Sequence, residues 1–222
     1  MRRAAFLLCL LPSATSCYEE EPTRSSDIAT ADIQAYVQLD GDKESTRLSI
    51  DLLGPGSGVD LVGGDALLAG VRGATASPLA VVDGKATAVL PPGMSGVTFE
   101  LRRPTPYESA AFTVDALPLD ELVVPPVVSR AETLRIEWEP GNGSYHSSIN
   151  VGGPCFTQIQ RTSKVDPGFF TVQPEELTPS SETCIVSITL VRAADVNVPS
   201  RELLRADARL TQTMTATFES RP

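Results

Sequence analysis

The sequence predicts an all-β chain of two tandem β-sandwich domains, set behind an export signal and a flexible tether. Three observations carry that expectation. Apolar residues recur at every second position in short runs, the pattern of half-buried strands. Clusters of Gly, Asp, Asn, Ser and Pro separate those runs. Eighteen prolines and sixteen glycines, spread along 222 residues, favour many short strands joined by turns over long helices. A chain of this length allows one or two domains with real cores.

The first seventeen residues read as an export signal. Arg2 and Arg3 form a cationic head, and Ala4 to Leu11 is apolar but too short to span a bilayer of about 30 Å. Pro12 ends any helix, and the small residues Ser13-Ala14-Thr15-Ser16 lead to Cys17. The stretch Ala14-Thr15-Ser16-Cys17 resembles a bacterial lipobox, which implies cleavage of residues 1–16 and a diacylglycerol on the Cys17 sulfur. Plain secretion, with Cys17 free or disulfide-bonded, is the alternative. Cleavage there would leave 206 of the 222 residues and, with both N-terminal arginines gone, a net charge of −12 in place of −10. The expected membrane partner is reached through lipid alone. Tyr18 stands where some lipoproteins carry an Asp that retains them at the inner membrane, so the outer membrane is the expected address.

Residues 17–30 are rich in Glu, Pro, Ser and Thr and are expected to form a tether. A dozen such residues reach about 40 Å when extended. The N-terminal sandwich is placed at 31–118. Ile33, Ala35, Val37 and Leu39 alternate with polar residues, Asp40-Gly41 follows, and Leu48, Ile50 and Leu52 resume the pattern, a hairpin signature. Gly54-Pro55-Gly56-Ser57-Gly58 is a turn cluster. Val59 and Leu61, then Ala66 to Ala69 beyond Gly63-Gly64-Asp65, are short strands. Asp83-Gly84 marks a second hairpin before Ala86, Ala88 and Leu90; Val97, Phe99 and Leu101, then Phe112 and Val114, complete about seven strands, more than one small sheet can cover alone.

Pro118, Pro125 and Pro126 make 117–127 a linker or edge strand, and the C-terminal sandwich is placed at 119–222. Leu134, Ile136 and Trp138 alternate before the turn Gly141-Asn142-Gly143. Strands are expected at Tyr145 to Val151, Phe156 to Gln160, Phe170 to Val172, Cys184 to Leu190 and Leu210 to Phe218. Ser200 to Arg205, after Pro199, has the form of a short capped helix or an irregular connection.

The segment Leu134-Arg135-Ile136-Glu137-Trp138-Glu139-Pro140 is similar to the early Trp-bearing strand of fibronectin type III domains, a branch of the immunoglobulin-like fold. Leu177-Thr178-Pro179-Ser180-Ser181-Glu182-Thr183-Cys184 resembles the Leu-x-Pro-x-Thr-x-Tyr strand entrance of the same family, with Cys184 in the tyrosine's place. Over 28–220 the chain looks like the two-β-domain body of proteobacterial envelope lipoproteins, through Leu61-Val62-Gly63-Gly64-Asp65 and Ser129-Arg130-Ala131-Glu132-Thr133-Leu134. The resemblance implies two tandem immunoglobulin-like sandwiches and no particular activity.

Cysteine usage agrees with export. Cys9 leaves with the signal and Cys17 takes the lipid, so Cys155 and Cys184 remain as an even pair, expected as one disulfide. A metal site is the alternative, yet two isolated cysteines and the single histidine, His146, cannot fill four positions.

No catalytic or cofactor motif emerges. His146 lies in Ser144-Tyr145-His146-Ser147-Ser148 without a nucleophile elbow and reads as a surface strand residue. Asp40-Gly41-Asp42-Lys43-Glu44 clusters carboxylates that could meet calcium, but hairpin turns want Asp-Gly for its own sake. Trp138 is expected in the core in preference to an exposed sugar platform. Residues 193–208, with Arg192, Arg201, Arg205 and Arg209 facing Asp195, Glu202 and Asp207, form a mixed-charge loop, solvated or partner-binding. The net charge of −10 argues against nucleic acid and against a polybasic membrane face. The expected function is a lipid-anchored, non-catalytic interaction or scaffold module of the cell envelope with a protein or glycan partner. A purely structural lipoprotein and an enzyme of unrecognised type are the other readings.

Overall fold

A computed structural model of the chain describes residues 21–141, 145–177 and 181–222. The first half contributes β1 (Thr23–Arg24), β2 (Gln34–Gly41), β3 (Thr46–Leu53), β4 (Val59–Asp60), β5 (Ala66–Val71), β6 (Ser77–Leu79), β7 (Lys85–Leu90), β8 (Gly96–Arg102) and β9 (Ala110–Asp115). The second half contributes β10 (Val127–Ser129), β11 (Leu134–Glu137), β12 (His146–Gly153), β13 (Phe156–Ser163), β14 (Phe169–Val172), β15 (Cys184–Asn197) and β16 (Arg205–Arg221). The helical residues described are three single 3-10 turns, at Ser25–Asp27, Thr30–Asp32 and Pro174–Glu176. The all-β sandwich fold expected from the alternation is what the chain adopts.

One sheet runs through the whole molecule in the order β13-β12-β15-β16-β2-β3-β7, with β10 parallel to the end of β16. The sheet β6-β5-β8-β9 completes the first sandwich, and the pair β11-β14 the second. Two separate cores result. Val37, Leu48 and Ile50 meet Leu67, Phe99 and Leu101 in the first, where Phe99 and Phe112 stack 5.0 Å apart. Leu134, Ile136 and Trp138 meet Ile149, Ile188 and Leu190 in the second. There β13-β12-β15-β16 faces β11-β14, and β10 runs parallel to β16. That arrangement is the C′-C-F-G and B-E pairing of an immunoglobulin-like sandwich.

The expected division of the chain at residue 119 needs correction. Strands β15 and β16 are far longer than one sandwich requires. Their ladder runs unbroken from Cys184 opposite Ser220 to Asn197 opposite Asp207. The outer part of β16, from Arg205 to Gln212, pairs in parallel with β2 from Gln34 to Gly41. Ala194, Val198, Leu203, Ala206, Ala208 and Leu210 are therefore buried in the first core. The cause is uninterrupted alternation: nothing between Cys184 and Val196 breaks the strand, so the hairpin overshoots its own domain and completes the neighbour.

Four local expectations change with it. The segment 193–208 is mostly strand, and only 198–204 connects β15 to β16. No helix forms at 200–205; Ser200 Oγ accepts the Leu203 N–H at 3.3 Å as a cap would, but Leu204 N–H donates to the Ile33 carbonyl and ends the turn. The first hairpin turns at Asp42–Ser45 instead of Asp40-Gly41, and the Gln212 side-chain amide lies where a Cβ on Gly41 would stand. The tether is docked from Thr23 onward, where β1 pairs in parallel with β4. Buried Arg103 holds it there, bonding the carbonyls of Ser25 and Ile28, the Thr30 hydroxyl and the Asp65 carboxylate. Asp83-Gly84 does form a tight turn, with φ of 51° and 76°. Residues 1–20, with the export signal and Cys17, lie outside the described residues, as do Asn142 to Ser144 and Thr178 to Ser180.

Candidate functional site

Where the long hairpin passes from one sandwich to the other, it buries an arginine. Arg192, expected in a solvated loop, has a fully enclosed side chain. Its Nε lies 2.8 Å from Asp166 Oδ2 as an ion pair without a hydrogen bond's alignment. Its Nη1 reaches Asp120 of the linker and its Nη2 the Glu139 carbonyl. Asp166 also accepts from Trp138 Nε1 at 2.5 Å and from the Gly141 N–H at 2.8 Å. Trp138 thus sits in the core as expected, with its polar handle satisfied. The sequence alternation should have placed Arg192 inward, since Val186, Ile188 and Leu190 precede it in step.

Beside this clasp lies a cleft of about 550 Å³, lined by Asp42, Lys43 and Glu44 of the first hairpin turn, by 119–122 of the linker, and by Thr213, Met214 and Thr215. A shallower depression of about 440 Å³ shares Asp120 and Glu121 with it. Asp42 is held below its ordinary value of 3.8, first by the Ser45 N–H and then by the Glu44 N–H, both bonded to its carboxylate. Such a carboxylate is an anion that caps a turn; a general acid needs the opposite shift. Asp40 accepts from Gln38 Nε2 at 2.7 Å. Among the described residues no group of three or more His, Cys, Asp or Glu is disposed to hold a metal ion. His146 opens β12 on the surface, opposite Ala193.

Cys155 and Cys184 are joined, linking the β12–β13 turn to the start of β15. Arg130 packs against them, with Nη1 3.2 Å from Cys155 Sγ and 2.9 Å from Ser220 Oγ, and Nη2 2.6 Å from the Glu182 carbonyl. Nothing in the sequence announced that contact, because it joins residues 25 apart that share no motif.

The solvent face of the second sandwich is the remaining feature. Across β13, β12, β15 and β16 the strand register builds rows of Thr162, Ser148, Val191 and Thr213, then Gln160, Asn150, Thr189 and Thr215. Gly152, Ser187 and Thr217 form the next row, with Gln158 against Gly152. No residue in these rows is charged. The same sheet face on the first sandwich carries Asp40, Arg47, Asp51, Lys85, Asp207 and Arg209. Strand spacing sets the rows on a grid of about 4.8 by 6.8 Å.

No protein-family profile matches the chain, and no curated protein matches it. Among solved structures it is similar to one described as structural insight into host cell surface retention of a 1.5-MDa bacterial ice-binding adhesin, at TM-score 0.28 and 10% identity over 85% of this chain. The chain spans 65% of that structure's length. It is similar to the human OSCAR ligand-binding domain at TM-score 0.29 and 12% identity, over 80% of this chain and 95% of that one. A variant of Salmonella alpha-2-macroglobulin gives TM-score 0.23 and 11% identity, over 87% of this chain and 16% of that one. Scores this low carry no argument, and the fold stands on the chain's own strand pairing.

Proposed function

We propose that the protein is a lipid-anchored envelope module that presents a flat, uncharged surface to a neutral, hydroxyl-rich polysaccharide. The observation that carries this reading is the block of three uncharged rows of Thr, Ser, Asn and Gln on the second sandwich, bounded by Ile185 and Glu219 in the next row, on a chain with a net charge of −10. An acidic protein repels anionic glycans, and a face of hydroxyls and amides matches a partner rich in the same groups. A protein partner would want buried aromatic or aliphatic anchors, and Val191 is the one apolar side chain in those rows.

The chain direction supports presentation. The docked N-terminal segment meets the first sandwich at the end where β2 begins, and β16 runs from that end to the far tip of the second sandwich. Its seventeen residues cover about 55 Å. Five residues separate Cys17 from Thr23, six steps with a reach of about 20 Å. The lipid on Cys17 and the export signal before it are read from residues 2–17.

Two measurements test the proposal. Mass spectrometry of the mature N-terminus should find acyl chains on Cys17; an unmodified cysteine would remove the anchor. Retention of the soluble body on neutral glucan should fall at least tenfold in Thr189→Arg with Thr215→Arg, while anionic polysaccharide retains neither protein. Equal retention of wild type and variant, or no retention of wild type on neutral polymers, would refute the surface.

A further inference from the structure

We propose that the Cys155–Cys184 bond is a thiol–disulfide exchange site, in which Arg130 stabilises Cys155 as the leaving thiolate. The inference rests on placement. The guanidinium is buried and stands 3.2 Å from Cys155 Sγ. It is fixed there from both sides, by Ser220 Oγ at the end of β16 and by the carbonyl of Glu182, two residues before Cys184. Its own backbone N–H donates to the Arg221 carbonyl at 2.8 Å. Such a cation cannot swing away when the sulfur beside it acquires charge. A thiolate next to an arginine is stabilised, and a better leaving thiolate makes its disulfide easier to open.

The two sulfurs differ in access as well as in the group beside them: Cys155 Sγ meets the Arg130 cation, whereas Cys184 Sγ accepts the neutral Cys155 backbone N–H at 3.2 Å. Cys155 is 7% exposed, whereas Cys184 is only partly covered at the first position of β15. An incoming dithiol therefore attacks through its thiolate at Cys184 Sγ. A mixed disulfide forms there, the Cys155–Cys184 bond breaks, and its electron pair stays on Cys155 Sγ against Arg130. The second thiol of the reductant then attacks its own sulfur in the mixed disulfide and releases Cys184. The dithiol leaves as a cyclic disulfide, oxidised by two electrons, and the two cysteines take those electrons. Cys184 takes one proton, and Cys155 remains a thiolate under the guanidinium. Buried near an arginine that also ties the end of β16, the pair couples the redox state of the surroundings to the tip of the second sandwich.

The experiment uses the full soluble body in wild-type, Arg130→Lys and Arg130→Gln forms, equilibrated in dithiothreitol buffers. Thiols are quantified by alkylation and assigned by mass spectrometry. Arg130→Gln should make reduction about tenfold less favourable, or about 30 mV, and Arg130→Lys should retain most of the wild-type value. In reduced wild-type protein, the pH dependence of alkylation should show Cys155 reaching its thiolate form at lower pH than Cys184. Equal midpoints for wild type and Arg130→Gln would overturn the proposal. So would the reverse order of the two thiols in the wild type, a readout that holds even where a variant folds poorly.

Discussion

Replacing Arg192 with Met tests how much its buried ion pair, which ties the linker to the second sandwich, stabilises the fold. The substitution keeps the length of the aliphatic stem and removes the charge. It strips Asp166 of the cation 2.8 Å away, while the carboxylate stays fully buried with two donors, Trp138 Nε1 and the Gly141 N–H. It also unpairs Asp120 and the Glu139 carbonyl. Removing one member of a buried ion pair costs about 3–5 kcal/mol, because the partner's charge remains desolvated. With a urea slope of roughly 2 kcal/mol/M, the unfolding midpoint should drop by about 1.5–2.5 M. The single tryptophan sits inside the site, so its fluorescence reports the transition directly. Asp166→Asn in the same background removes the orphaned charge and should recover part of the loss, with a coupling of about 1–3 kcal/mol in the double-mutant cycle. A midpoint shift in Arg192→Met of less than about 0.5 M, or strict additivity of the two changes, would refute the reasoning.

Leu210→Ala, in the second half of the sequence, should destabilise the first sandwich by about 2–5 kcal/mol and speed hydrogen exchange in β2 and β3; exchange changes confined to β12 and β13 would contradict the strand sharing. Arg103→Met should cost a similar amount, since it leaves the enclosed Asp65 carboxylate without its cation, and limited proteolysis should then cut between residues 21 and 32, which wild type resists. Asp42→Asn keeps the turn's acceptor and deletes its charge. Because Asp42 titrates below its ordinary value of 3.8 in the fold, its contribution is present above that value and is lost as pH falls through the lowered one. The stability gap between wild type and Asp42→Asn should thus be steady near neutrality and close in strong acid; a gap that opened on acidification would have the wrong sign.

Strand identity was legible because it depends on local alternation. Leu134, Ile136 and Trp138 announced one inward face, and Val186, Ile188 and Leu190 another. Both faces point into the second core as the period demanded. The pairing of cysteines was legible from their count and the expected compartment. Strand partnership was not. Leu210 sits between Ala194 of its own half and Leu39 of the other, far earlier in the chain, and alternation carries no such address. The same limit hid the charged groups. Arg103, Arg130 and Arg192 look like surface residues by type, yet each is buried by partners that only tertiary structure brings near. For Arg192 a signal did exist in the phase of the strand, and the charge of the side chain overrode it.

That phase ties the clasp to the proposed binding face. Along β15 the side chains alternate sides, so Arg192 points into the junction while its neighbour Val191 begins the uncharged outer rows with Thr213. Two sandwiches joined only by the linker before β10 would be expected to move as separate bodies. Here a bend at the junction would have to break ladder pairs around Val191–Thr213 and Arg192–Gln212. Each backbone hydrogen bond lost there costs about 1 kcal/mol. The hairpin therefore fixes the direction in which the outer face looks relative to the end where the chain enters. A flat surface that must meet an extended polymer row by row gains from that fixity, since little orientational freedom remains to be lost on binding.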